Sequence, residues 1–250
     1  ADSVARDHRH LVAKAMLKAF DLLGGKPRGL DLVCANRIPH GRGLGSSAAA
    51  IVSGLVLARA LTVGGEERLP DADLLDVATS MEGHPDNVAA CLYGGVTVAW
   101  TRDDGSNQVL RSDAATSVVP VVSVPSTSVP TRKARGMLPE SVPHADAAFN
   151  ASRAALLLTA LTSRPDLLLD ATEDRLHQGY RRAAYPRSLD LVAKLRASGI
   201  PATISGAGPT VLALTDAVTA PRIEALAGAR FETSVLEFDA GGTRVVPLDA

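Results

Sequence analysis

Three glycines crowded into Pro39-His40-Gly41-Arg42-Gly43-Leu44-Gly45, running straight into Ser46-Ser47-Ala48-Ala49, constrain this chain more than any other stretch. Glycines let a backbone turn its N–H groups toward a ligand where a side chain would block the approach. An apolar helix is expected from about Ser46, and a helix start adds unpaired donors and a positive dipole end. Together these make a site for an anion such as phosphate. The loop contains no carboxylate to repel a polyphosphate. No Gly-Lys-Ser/Thr follows, so it is not a Walker A loop, and the last gap is wrong for a dinucleotide fingerprint. A glycine-rich turn that only caps a helix is the competing account.

Composition narrows the partners. Of 250 residues, 46% are hydrophobic and 21% charged, with a net charge of −1, as in an ordinary soluble globular protein. The near-neutral balance and 3% aromatic content speak against nucleic acid and an anionic membrane. The longest apolar stretch, from Ala48 to Val63, holds Ser53, Gly54 and Arg59, which suits a buried helix rather than a membrane span. The first residues have no signal-peptide pattern. Cys34 and Cys91 follow no metal or disulfide spacing and read as reduced core thiols of a cytoplasmic protein.

Periodicity supplies a coarse order of elements. Gly29 to Cys34 alternates as a short extended stretch before the loop. Helices are expected around Val12–Leu23, Ser46–Leu61 and Asp71–Glu82, with Gly83 to Asn87 as a break. Strands follow at Val96–Trp100 and Val118–Val124, the latter with Pro120 suggesting an edge or irregular position. Further helices are expected at about Thr131–Met137, His144–Leu161, Pro165–His177, Pro186–Ala197 and Pro221–Leu226. Between the last two lie Ile200–Ile204, a glycine turn and Val211–Thr215, and strands around Ser234–Phe238 and Arg244–Val246 close the chain. Two α+β halves meeting near residue 115 fit this order, 1–115 and 116–250.

The pattern P-x-x-x-G-L-G-S-S-A-A resembles the phosphate loop of the GHMP small-molecule kinases. Glu82-Gly83-His84-Pro85-Asp86-Asn87-Val88-Ala89 resembles a segment of the homoserine kinases among them. The resemblance implies a ribosomal protein S5-like N-terminal half that binds ATP, a ferredoxin-like C-terminal half, and a left-handed βαβ crossover around the loop. Compared with that family, the sequence lacks an N-terminal segment that normally supplies the first strands and a substrate-contacting Asn/Asp stretch. The implied activity is transfer of the ATP γ-phosphate to L-homoserine in threonine biosynthesis, with ATP and Mg²⁺ as cofactors. A homodimer is among the assemblies the family adopts.

Carried over by position, residues Pro39, His40, Gly41, Arg42, Gly43, Leu44, Gly45, Ser46 and Ser47 hold the nucleotide. Ser47 and Glu82 are the metal ligands, since a hydroxyl alone is a weak ligand for so hard a cation. His84, Asp86 and Asn87 line the amino-acid pocket, with Asp86 suited to an ammonium; a helix cap after Pro85 would otherwise explain them. A carboxylate calls for a guanidinium that can bind it bidentately. The T-x-x-A-R element at Thr131-Arg132-Lys133-Ala134-Arg135 selects Arg135, and His177-Gln178-Gly179-Tyr180-Arg181 selects Arg181. Arg132 and Lys133 depart from the acidic residues that relatives often carry there. Ser205-Gly206-Ala207-Gly208-Pro209-Thr210 resembles a third family motif, in which Gly206 and Gly208 support the loop from behind. Ser47, Glu82 and Arg181 are the catalytic candidates, and no base is assigned. Two other readings stand beside this one: a sugar or isoprenoid kinase of the same family, and a silent ligand-binding member.

Overall fold

The computed structural model describes residues 5–25, 27–129 and 134–247. By mutual contact these fall into two units. The first takes in residues up to Arg37, Gly45–Ser112 and those from Asp239 onward; the second takes in Ile38–Leu44 and Asp113–Phe238.

The first unit is mainly helical: α1 (Leu11–Leu22), α2 (Ser46–Ala60), the single turn α3 (Gly65–Arg68), α4 (Asp71–Glu82) and α5 (Pro85–Tyr93). Strands β1 (Val96–Thr101) and β2 (Asn107–Ser112) form an antiparallel hairpin. Val12, Met16 and Phe20 of α1 meet Ile51, Val52 and Leu55 of α2, with Leu74, Leu75 and Val88 completing one core. Each such fully buried aliphatic side chain contributes about 1.5–3 kcal/mol. Gly54 permits the close crossing, because a Cβ there would strike the Val12 carbonyl oxygen and the Ala15 side chain. The tail returns to this unit. Gly95 N–H donates to the Asp239 carbonyl at 2.7 Å. The Arg111 guanidinium donates to the Ala240 carbonyl at 2.8 Å, and the Thr243 hydroxyl to the Cys91 carbonyl at 2.8 Å.

The second unit runs β3 (Val119–Pro125), α6 (His144–Thr162), a 3₁₀ turn (Pro165–Leu167) leading into α7 (Leu168–Ala171), α8 (Pro186–Ala197), β4 (Ala202–Ile204), β5 (Val211–Thr215), α9 (Ala220–Ala227) and β6 (Phe231–Val235). The sheet order is β4-β5-β3-β6, antiparallel throughout. This is the split βαβ arrangement expected of a ferredoxin-like half. Val121, Leu195, Val211 and Ile223 form its main core, and Val118, Leu168 and Leu214 a smaller one beneath α6.

Several expectations need correction. Gly29 to Cys34 forms no strand among the described residues, and Cys34 is exposed rather than a core thiol. Alternation marks a chain able to pair, but a strand exists only where a ladder partner does. With no strand ahead of α2, no βαβ crossover is seen around the loop among the described residues. Pro85 does not merely break a helix; it opens α5 at the first position, where its missing N–H costs nothing. Strand β3 is central, not an edge: it pairs with β5 and β6, and Pro120 lies just past the end of the β6 register, where its carbonyl still accepts Leu236 N–H at 2.8 Å. The helix expected over 165–177 stops at Ala171, after which Asp174 gathers the backbone N–H groups of a turn. Strand β6 lies earlier than expected, and 244–246 forms no strand. Thr131, Arg132 and Lys133 lie outside the described residues, as does the start of the helix expected there.

Candidate active site

The loop and the helix after it are built as an anion cradle requires. Gly45 caps α2 in the left-handed conformation, and among the described residues no side chain caps the helix's first N–H groups. Upstream, three successive carbonyls each have a donor: Gly41 accepts from Val129 N–H at 3.1 Å and Arg42 from Thr210 N–H at 3.2 Å, and Gly43 from the Ser205 hydroxyl at 2.7 Å. The loop therefore turns no row of bare carbonyl oxygens toward an anion. The Arg42 guanidinium binds the carbonyls of Pro125 (3.0 Å), Ser126 (2.6 Å) and His40 (3.2 Å). It clamps the loop, a role the sequence pattern did not suggest. Gly43 has φ +75° and lies against the Ser205–Gly208 turn; a Cβ there would collide with the Ser205 carbonyl and with Gly208. Gly206 and Gly208 thus meet the loop backbone to backbone. Pro39 and His40 are exposed, while Leu44, Ser46 and Ser47 are half-buried.

Ser47 and Glu82 come together. The Ser47 hydroxyl donates to Glu82 Oε1 at 2.6 Å. A carboxylate at the C-terminal end of α4 is unfavourable for that helix, but here it lies beside the first turn of α2, where the dipole favours it. Two adjacent hard oxygen donors suit a magnesium ion, which takes one or two protein ligands and fills its remaining positions with water and phosphate oxygens. Among the described residues no group of three or more His, Cys, Asp or Glu is arranged to hold a metal.

Further along, His84 Nδ1 bonds Asp86 Oδ1, which also accepts Asn87 N–H at 2.6 Å. His84, Asp86 and Asn87 therefore share the opening turn of α5, with Asp86 exposed.

In the second unit, Arg181 is only 6% exposed. Its Nε donates to the Ala134 carbonyl at 3.0 Å, one residue before the exposed Arg135. The Tyr185 hydroxyl lies in the same interior; burial raises its pKa, and the Arg181 charge tempers the rise. The turn leading to Arg181 is organised by Asp174, which spacing alone did not reveal. Burial works against its ionisation, but hydrogen bonds from the His177 side chain, Gln178 N–H, the Asn150 amide and His177 N–H outweigh it. They hold the carboxyl well below the usual range.

Comparison with known proteins gives the family. The GHMP kinases N terminal domain matches residues 10–95, and the GHMP kinases C terminal domain residues 148–232. The class is thus a two-domain α+β small-molecule kinase. A homoserine kinase of Streptomyces coelicolor is 60% identical over 99% of this chain and 80% of its own length. One of Streptomyces avermitilis is 60% identical over 100% of this chain and 82% of its own length. The crystal structure of a homoserine kinase from Cytophaga hutchinsonii matches with a TM-score of 0.76 at 23% identity, over 96% of this chain and 79% of that one, which speaks for the fold. The chain belongs to the homoserine kinase family of the GHMP kinases. Among the described residues no helix is long and apolar enough to cross a membrane.

Proposed function

We propose that this chain transfers the γ-phosphate of ATP to the hydroxyl of L-homoserine, giving O-phospho-L-homoserine and ADP on the way to threonine. The observation that carries this reading is 60% identity along almost the whole chain to homoserine kinases. The paired Ser47 and Glu82 at the head of α2 support it.

The loop from Pro39 to Ser47 binds the triphosphate through backbone N–H groups and the positive end of α2. Ser47 and Glu82 hold Mg²⁺, which when bound supplies positive charge against the phosphate oxygens. Asp86, steadied by His84, takes the substrate ammonium, and Asn87 offers an amide beside it. Arg181 and Arg135 take the substrate carboxylate. A substrate held by its charged groups has its hydroxyl aimed rather than activated. Phosphoryl transfer asks the protein mainly for such positioning and for electrostatic stabilisation. A sugar or isoprenoid alcohol has no paired ammonium and carboxylate and would leave these charges unused.

The test is ADP release measured with homoserine, mevalonate and galactose in turn. Turnover should be confined to homoserine; a preference for either of the others would end this reading.

A further inference from the structure

Between Ala171 and Pro186 the chain forms neither helix nor strand, though it holds a buried arginine in place. Its order comes from one carboxylate. Asp174 Oδ1 accepts from the Asn150 amide (2.9 Å), His177 Nδ1 (2.9 Å) and Leu176 N–H (3.2 Å). Asp174 Oδ2 accepts from His177 N–H (3.0 Å) and Gln178 N–H (2.6 Å). Asn150, on α6, also accepts Arg175 N–H at 2.8 Å, so the turn is fastened to a regular helix. Gln178 Oε1 accepts Ile204 N–H at 3.1 Å, which ties the turn to the end of β4. Arg181 N–H then donates to the carbonyls of His177 and Gln178, the two residues whose own N–H groups Asp174 Oδ2 holds. A continuous series of hydrogen bonds runs from α6 through Asp174 to the backbone of Arg181.

We propose that Asp174 is a positioning residue: by gathering the turn at 174–178 it fixes where Arg181 leaves the backbone, and so sets the affinity for the substrate carboxylate. This rests on the reading of Arg181 given above. Only a carboxylate serves. Its two oxygens face donors alone, and an asparagine would turn an NH₂ group toward N–H groups that need an acceptor. Such bonds to a charged group are the strong kind and are not made good by a neutral replacement. The competing account is that the Ala134 carbonyl, through Arg181 Nε, suffices to orient the guanidinium. In that case loosening the turn would leave substrate affinity alone.

Steady-state kinetics of Asp174→Asn, Arg181→Ala and the double variant decide between these. Asp174→Asn should raise KM for homoserine about tenfold, with KM for ATP and kcat within about twofold of the parent, the scale of losing bonds to a charged acceptor. In the Arg181→Ala background the same change should add less than about twofold, because the two act as one unit. An unchanged KM for homoserine, a parallel rise for both substrates, or a full effect persisting without Arg181 would each overturn the proposal. If Arg181→Ala itself leaves KM for homoserine untouched, the carboxylate reading has failed and takes this proposal with it. If Arg181→Ala raises it and Asp174→Asn does not, only the positioning role is lost. Should Asp174→Asn fail to fold by circular dichroism, Asn150→Ala removes one of the five bonds to the carboxylate and reads the same way. The rise expected is then about threefold, and none would count against the proposal.

Discussion

Glu82 reaches Ser47 from the last residue of one regular helix to the first turn of another. Arg181 hangs in an irregular stretch tied together by the polar side chains of Asp174, Asn150 and Gln178. The Ser47–Glu82 pair is placed by apolar packing: Leu74, Leu75 and Ala78 seat α4, and Ile51, Val52 and Leu55 seat α2, and none of these side chains needs to know about the chemistry. The arginine is placed by a hydrogen-bonded knot in which a single carboxylate serves five donors. Chemistry mounted on a packed core can be altered without disturbing the fold. Chemistry mounted on a polar turn shares its fate with the turn.

That contrast can be broken by substitution. Glu82→Ala should lower kcat at saturating ATP by about 10²–10³-fold, the scale of removing a preorganised electrostatic group. The thermal midpoint should scarcely move, since the residue sits at a helix end and takes no part in the core. Coupled ADP release and a melting curve on the same sample check both halves, and a large fall in midpoint would erase the distinction. Arg181→Lys should raise KM for homoserine about tenfold while KM for ATP stays put, because an ammonium cannot reproduce a bidentate grip. Equal changes in both constants would argue against a carboxylate at that position. Ser47→Ala should cost less than Glu82→Ala, about tenfold in kcat, because water can replace a neutral oxygen ligand but not a charged one. A loss as large as that of Glu82→Ala would mean that the hydroxyl does more than ligate.

The smallest effect is one of pH. The Asp174 carboxyl is depressed in the folded chain below its unfolded value of about 3.9. Its contribution to stability is therefore complete above that value and is lost as the pH falls through the folded one. Denaturant midpoints taken from pH 7 down to pH 3 should fall less steeply for Asp174→Asn than for the parent. An unaltered acid limb would show that the knot contributes no net stability.

What the sequence made legible follows the same division. Helices α2 and α4 could be drawn almost residue by residue, because their apolar spacing and the glycines beside them are local signals. Strands β1 and β5 were equally plain. Gly29 to Cys34 carried the alternation of a strand without the partner that would make it one, and partners are not written locally. The stretch after Ala171 looked helical because Leu167, Leu168 and Leu169 run into it. A side-chain carboxylate then captured the N–H groups that another helical turn would have used. Ser47, Glu82 and Arg181 were visible as motif positions. Asp174 was not, because an Asp shortly before a turn has no signature until Asn150, distant along the chain, is seen to meet it.

The route of the backbone has a bearing on synthesis. Gly95, Arg111 and Cys91 find their partners at Asp239, Ala240 and Thr243. On the ribosome the helical unit lacks these partners until residues 239–243 have been made, by which point all of Asp113 to Phe238 has already been synthesised. Anyone splicing halves between relatives would face the same weave, with crossings at 37/38, 44/45, 112/113 and 238/239 rather than one clean seam.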